Sequence, residues 1–138
     1  MGIELILGHL VGDYIFQFHQ QAAHKKDAGW RGWTYCMEHC ILYTIIVCLF
    51  IGRWDWIAVA GIGLSHYIVD RYKWLGWLHA HVYKRPPMVH KAGEPVDDQL
   101  AYNTSLSVFV YIMMDNTIHL VLMYLILRYT NMTGMKQI

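Results

Sequence analysis

The chain has 138 residues, of which 56% are hydrophobic and only 15% charged, with a formal net charge of +1. A soluble domain carries roughly 25% charged residues, so this chain lacks the ionic surface to face water on all sides; the near-neutral balance and scattered basic residues also exclude a nucleic-acid footprint. Cys36, Cys40 and Cys48 are odd in number, share one apolar stretch and form no CxxC pair, so they read as small buried residues and not as a disulfide framework.

Four segments approach the roughly 20 residues that a helix needs to span a bilayer core. The first, over 3–22, has an apolar face of Ile3, Leu7, Leu10, Tyr14 and Phe18 at helical spacing but ends in the polar FQFHQQAAHKK, which would let it lie partly in the interface. Glu4 stands where a signal peptide would be basic, and His9 and Asp13 interrupt the apolar run, so the segment is expected to be retained. The second, third and fourth cover 34–52, 55–75 and 104–127. Between the last two, residues 76–103 hold Pro86, Pro87, Pro95, Asp97 and Asp98 and read as a cytoplasmic loop or interfacial cap. The expectation is an all-α, polytopic membrane bundle of about four transmembrane helices, forming a single domain over 1–138.

Tryptophan favours the headgroup level at the ends of spanning helices. Trp30 and Trp33 precede the second segment, Trp54 and Trp56 open the third, and Trp74 and Trp77 close it. Eight of the 11 Lys and Arg fall after the first segment or at and beyond the end of the third: Lys25, Lys26, Arg31, Arg71, Lys73, Lys84, Arg85 and Lys91. The positive-inside rule then puts those connections in the cytoplasm and both termini on the opposite side.

Three of the four segments carry a histidine and an aspartate four residues apart: His9 with Asp13, His66 with Asp70, and Asp115 with His119. Such pairs share a helix face. The order is reversed in the third pair, and in an up-and-down bundle the helix carrying it also runs in the opposite direction. All three aspartates therefore fall in one layer on the cytoplasmic side, with the histidines one turn further out. His39 falls near the aspartate layer, with Tyr43 one turn beyond it.

One such pair is as a rule a structural hydrogen bond between helices. Three in register, plus His39, point to a functional site, because an ionised carboxylate in mid-membrane costs on the order of 2.5–3.5 kcal/mol on insertion scales. Imidazole with carboxylate suits a divalent ion, zinc first and manganese or iron next. The candidate ligands are His9, Asp13, His39, His66, Asp70, Asp115 and His119. Seven exceed one ion's needs, so either two metals share them, as in hydrolytic two-metal sites, or some support the others.

Gln17, one turn past Asp13, and Lys73, three residues past Asp70, extend the same faces and could bind an anionic group; simple snorkelling is the plain alternative for Lys73. His19, His24, His79, His81 and His90 lie in loops or near helix ends and read as solvated. The eight methionines read as lipid-facing or packing residues. Gly8, Gly12, Gly61 and Gly63 read as sites of close helix contact.

With HLVGDYIFQ from His9 to Gln17 and Lys25 beyond it, EHCILYT around His39 and Tyr43, SHYIVDRYK from Ser65 to Lys73, and DNTIH from Asp115 to His119, the chain resembles the small bacterial and phage membrane proteins grouped as the domain of unknown function 3307. Asn116 replaces the glutamine usual in the last motif. The resemblance implies a bacterial inner-membrane or phage-encoded protein, and a distant similarity to membrane-bound metal-dependent hydrolases supports the metal reading by analogy only.

The leading expectation is a metal-dependent hydrolase of the inner membrane acting on a lipid-linked or phosphorylated substrate from the cytoplasmic side. Asp13, Asp70 or Asp115 would act as general base, Gln17 would extend the catalytic set, and Lys73 or Lys25 would steady the anionic head group. A second reading is a proton or metal-ion channel or transporter component, which four short helices would achieve only as a homo-oligomer. A third is a phage-encoded membrane-active factor in which the His/Asp pairs only hold the bundle together.

Overall fold

The computed structural model describes residues 2–72, 74–84 and 98–132, and every regular element within them is helical. Helix α1 (Gly2–Leu10) runs on through a single π-turn, Val11–Ile15, in which Phe16 N–H reaches back five residues to the Val11 carbonyl at 3.1 Å. The chain then breaks and re-forms as the short α2 (His19–His24). Phe18 is extended there (φ −71°, ψ 150°), and its N–H donates to the Gln21 side chain at 3.1 Å. One continuous helix over 3–22 is thus corrected to two, because the polar Gln21 offers the backbone a competing partner at the break.

Helix α3 (Gly29–Ile51) is longer than its sequence signal and stops at Gly52, whose left-handed φ of 65° suits a helix C-terminus. Asp55 starts α4 (Trp56–Arg71) by accepting the Ala58 N–H at 2.9 Å. Helix α4 ends at extended Tyr72, and α5 (Trp74–His81) and α6 (Asp98–Met132) follow. Both ends of the expected loop over 76–103 are therefore helical: its polarity ruled out a spanning segment, but a helix outside lipid needs no apolar run. The three prolines, Asp97, Arg85, His90 and Lys91 lie outside the described residues.

Among the described residues, two helices are long and apolar enough to cross a membrane, Gly29–Ile51 and Ala101–Met132. At 1.5 Å per residue, the 16 residues of α4 give only about 24 Å against a hydrocarbon core of about 30 Å.

The chain divides into two units. The first comprises residues up to Tyr72 together with the chain from Ile118 onward, and the second Lys73–Thr117. The core of the first is Leu5, Tyr43, Val47, Cys48, Ala58, Ile62, Met123 and Leu127. Small residues set its helix spacing: a Cβ at Gly8 would lie 3.2 Å from Val47 Cα, one at Gly12 2.7 Å from Tyr43 Cδ2, and one at Gly61 2.8 Å from Ile126 Cγ2. Cys36, Cys40 and Cys48 are buried free thiols, as the sequence indicates.

Beyond that core, the buried Arg53 donates to Asp55 Oδ2 at 2.6 and 2.9 Å and to Asn131 Oδ1 at 2.6 Å, which ties the α3–α4 turn to the end of α6. In the second unit Leu75 and His79 of α5 are buried, with the His79 ring edge-on to Tyr111 of α6 at 5.9 Å between centroids. That corrects the solvated reading of His79, which sits on the inward face of a helix and not in a loop.

Candidate metal centre

Four elements of the first unit bring polar side chains to one point. Helix α1 presents His9, and its π-turn presents Asp13; α3 contributes His39 and Tyr43, α4 His66 and Asp70, and α6 His119. His9, His39, His66, Asp70 and His119 are all at most 2% exposed.

The tightest convergence is of Asp13 Oδ1, His39 Nε2, His66 Nε2 and Asp70 Oδ2. His39 Nε2 lies 3.0 Å from His66 Nε2, 3.1 Å from Asp13 Oδ1 and 3.3 Å from Asp70 Oδ2. His66 Nε2 lies 3.4 Å from Asp13 Oδ1 and 3.3 Å from Asp70 Oδ2. Each imidazole nitrogen carries at most one proton, so protons alone leave most of these contacts between lone pairs. A single cation among the four would satisfy all of them. Zinc bonds of about 2.0–2.1 Å in a tetrahedron set ligand atoms about 3.3–3.4 Å apart, close to the five separations observed. The donor set and its spacing fit a divalent ion.

A second layer supports these four. His9 Nδ1 is 3.6 Å from Asp13 Oδ2, and His119 Nε2 is 3.6 Å from Asp70 Oδ1, so each carboxylate has a further imidazole at its other oxygen. His119 Nδ1 meets His66 Nδ1 at 3.1 Å. The Nδ1 contact between His119 and His66 is of the kind that fixes a ring's orientation around a metal, whereas Gln17 Nε2 lies 3.0 Å from His39 Nε2, the nitrogen that would face the ion, and would have to leave it for a metal to bind. Above them Tyr43 stacks on His66 with centroids 3.5 Å apart; its hydroxyl donates to Met123 Sδ at 3.2 Å and lies 2.8 Å from His9 Nδ1.

The seven candidate ligands thus divide. Asp13, His39, His66 and Asp70 converge, while His9 and His119 stand behind the two carboxylates. Asp115 is half-buried on α6, in the second unit, and Lys73 lies outside the described residues. His24 is held by Asp27 at 2.8 Å, and His19 and His81 are exposed.

Sequence reasoning left two participants, Arg71 and Met123, out of the site and offered a third, Lys25, as a head-group partner without its contact to Asp70. Lys25 Nζ donates to Asp70 Oδ2 at 2.7 Å. Arg71 Nη1 donates to the carbonyls of Lys25 at 3.0 Å and Asp27 at 2.7 Å. Met123 touches the Tyr43 hydroxyl. The signal for Met123 was there, since it continues the four-residue series Asp115, His119 on α6. Lys25 is 45 residues from its partner and left no local periodicity to read.

No curated protein and no solved structure matches the chain. A family model does match, over residues 1–137, and the chain belongs to that family, described as protein of unknown function (DUF3307).

Proposed function

We propose that the chain is a membrane-embedded, metal-dependent hydrolase acting on a lipid-linked or phosphorylated substrate. The observation that carries this reading is the meeting of two carboxylate oxygens and two imidazole nitrogens at the spacing of a tetrahedral ligand set. Asp13, His39, His66 and Asp70 would hold the ion, with His9 and His119 orienting them. A bound ion would supply Lewis acidity toward a phosphoryl or acyl oxygen and acidify water toward a pKa of about 7. The residues themselves exclude bulk water, fix the imidazole tautomers and offer a carboxylate to take a proton.

The membrane part of the proposal is a bacterial inner-membrane protein with up to four crossings, the Lys25 end in the cytoplasm and both termini opposite. The hydrocarbon part of a substrate has room in an apolar groove of about 510 Å³ between α3 and α4, with Trp33, Ile41, Trp54, Leu64 and Tyr67 in its walls. Cys40 and Tyr67, which line that groove, directly follow His39 and His66 in the chain.

Ion passage is the weaker reading. Above Tyr43 the cluster meets the apolar core, with Val47, Ile62, Met123 and Leu127. Elemental analysis of the detergent-purified protein tests the proposal. Stoichiometric zinc, manganese or iron is expected in the wild type and none in His66→Ala/Asp70→Ala; a folded, metal-free wild type refutes it.

A further inference from the structure

A site closed by four protein ligands has no position for a substrate, whereas catalytic sites keep one open. A hydrolytic centre made of these four residues must therefore release one. Asp70 already has a cation at its ligating atom. Lys25 Nζ sits 2.7 Å from Asp70 Oδ2, the same oxygen that lies 3.3 Å from His39 Nε2 and His66 Nε2.

The lysine is held there by the fold. It caps α2 and gives its N–H to the Gln21 carbonyl at 2.9 Å. Its own carbonyl and that of Asp27 accept from Arg71, the residue next to Asp70. Gly32 in the first turn of α3 lets this turn pack close, since a Cβ there would collide with the Asp27 carbonyl oxygen. The stretch that bears the carboxylate thus also clamps the turn that bears its ammonium partner; the Asp70 side chain is buried at 2% exposure and that of Lys25 partly buried at 14%.

We propose, on the basis of the metal reading, that Asp70 is the exchangeable ligand of the centre and Lys25 its alternative partner. Asp70 Oδ2 passes from the ion to the ammonium group, and an oxyanion of the substrate takes the vacated position. Only coordination changes: one anionic oxygen leaves the ion, one arrives, and no proton moves. The vacancy lies beside an ammonium group and an ion with one carboxylate left, which selects a phosphate-type anion over a neutral ester.

Cobalt(II) in the full-length, detergent-purified protein tests this, with inorganic phosphate and a short-chain phosphatidic acid as probes. In the wild type either probe is expected to change the visible cobalt spectrum; a response to phosphatidic acid alone assigns the oxyanion to a lipid head group, a response to both to phosphate itself, and each supports the exchange. Lys25→Met should bind cobalt about tenfold tighter, having lost a nearby positive charge, and should no longer respond to either probe, while Lys25→Arg should respond. Asp70→Asn, an independent arm should Lys25→Met not fold, should keep cobalt at reduced affinity and still respond. A wild-type response in Lys25→Met, or complete loss of cobalt from folded Asp70→Asn, overturns the inference. Failure of the wild type to bind cobalt overturns the metal reading itself and is seen before any variant is made.

Discussion

Replacing Gly12 by alanine adds one methyl group where the structure has no room for it. The new Cβ would lie 2.7 Å from Tyr43 Cδ2, and carbon atoms rest at about 3.5–4.0 Å, so the ring must withdraw by roughly 0.8 Å or more. It is poorly placed to do so. His66 is stacked on it, and its hydroxyl is engaged with Met123 and His9. Overpacking of this kind costs about 1–3 kcal/mol, and loss of the hydroxyl contact adds about 1 kcal/mol. Alanine gains about 1 kcal/mol over glycine in helix propensity. The expected net effect is a loss of about 1–3 kcal/mol, read from unfolding in mixed detergent–SDS micelles by circular dichroism. In a Tyr43→Leu background the obstacle is gone, so the same alanine should be neutral or stabilising. Equal costs in both backgrounds, or a stabilised single variant, would refute the close approach of α1 and α3 at this point.

Arg53→Ala leaves the Asp55 carboxylate and Asn131 without the guanidinium that joins them and should cost about 3–5 kcal/mol, with Arg53→Lys recovering part of it; an unchanged SDS midpoint would show the latch to be idle. Gly32→Ala should displace the turn that carries Lys25, and its cobalt affinity should move in the same direction as that of Lys25→Met. For the membrane proposal, Lys26→Cys and Met132→Cys should react with an impermeant maleimide from opposite faces of membrane vesicles; labelling from the same face would remove the proposed orientation.

Much of the centre was legible because helix periodicity is a local code. The spacing of four put each histidine on the face of its aspartate, and the structure brings Asp13, His39, His66 and Asp70 to one point; the separate histidine layer is not kept, since His66 Nε2 reaches both aspartates as well as Tyr43. The count of four from His39 to Tyr43 worked for the same reason. What periodicity cannot report is contact between distant segments, so the sequence offers Lys25 as a head-group partner but not as the partner of Asp70, and Arg71 only as a charge that orients the chain. Nor does hydropathy mark a helix that continues through polar residues, so it shows neither the start of α6 at Asp98 nor most of α5. The break at Phe18 had a different origin, a side chain competing for the backbone, and no spacing rule registers that.

The π-turn at Val11–Ile15 bears on how freely this segment can change in length. A loop closed over five residues holds one residue more than an α-turn, so a chain one residue shorter could restore an unbroken α-helix without losing a backbone hydrogen bond. Everything downstream would keep nearly its present position relative to His9, because the hydrogen bond now made by Phe16 to the Val11 carbonyl would close the shorter turn as well. Gln17 would still face His39, and the strap to Lys25 would start from the same side of the helix. The extra residue is absorbed within one turn, and that turn is the one that carries Asp13. Relatives lacking it are thus expected to keep the Gln17 and Lys25 contacts and to present the carboxylate of this turn at a different angle, a deletion whose effect stays where it occurs.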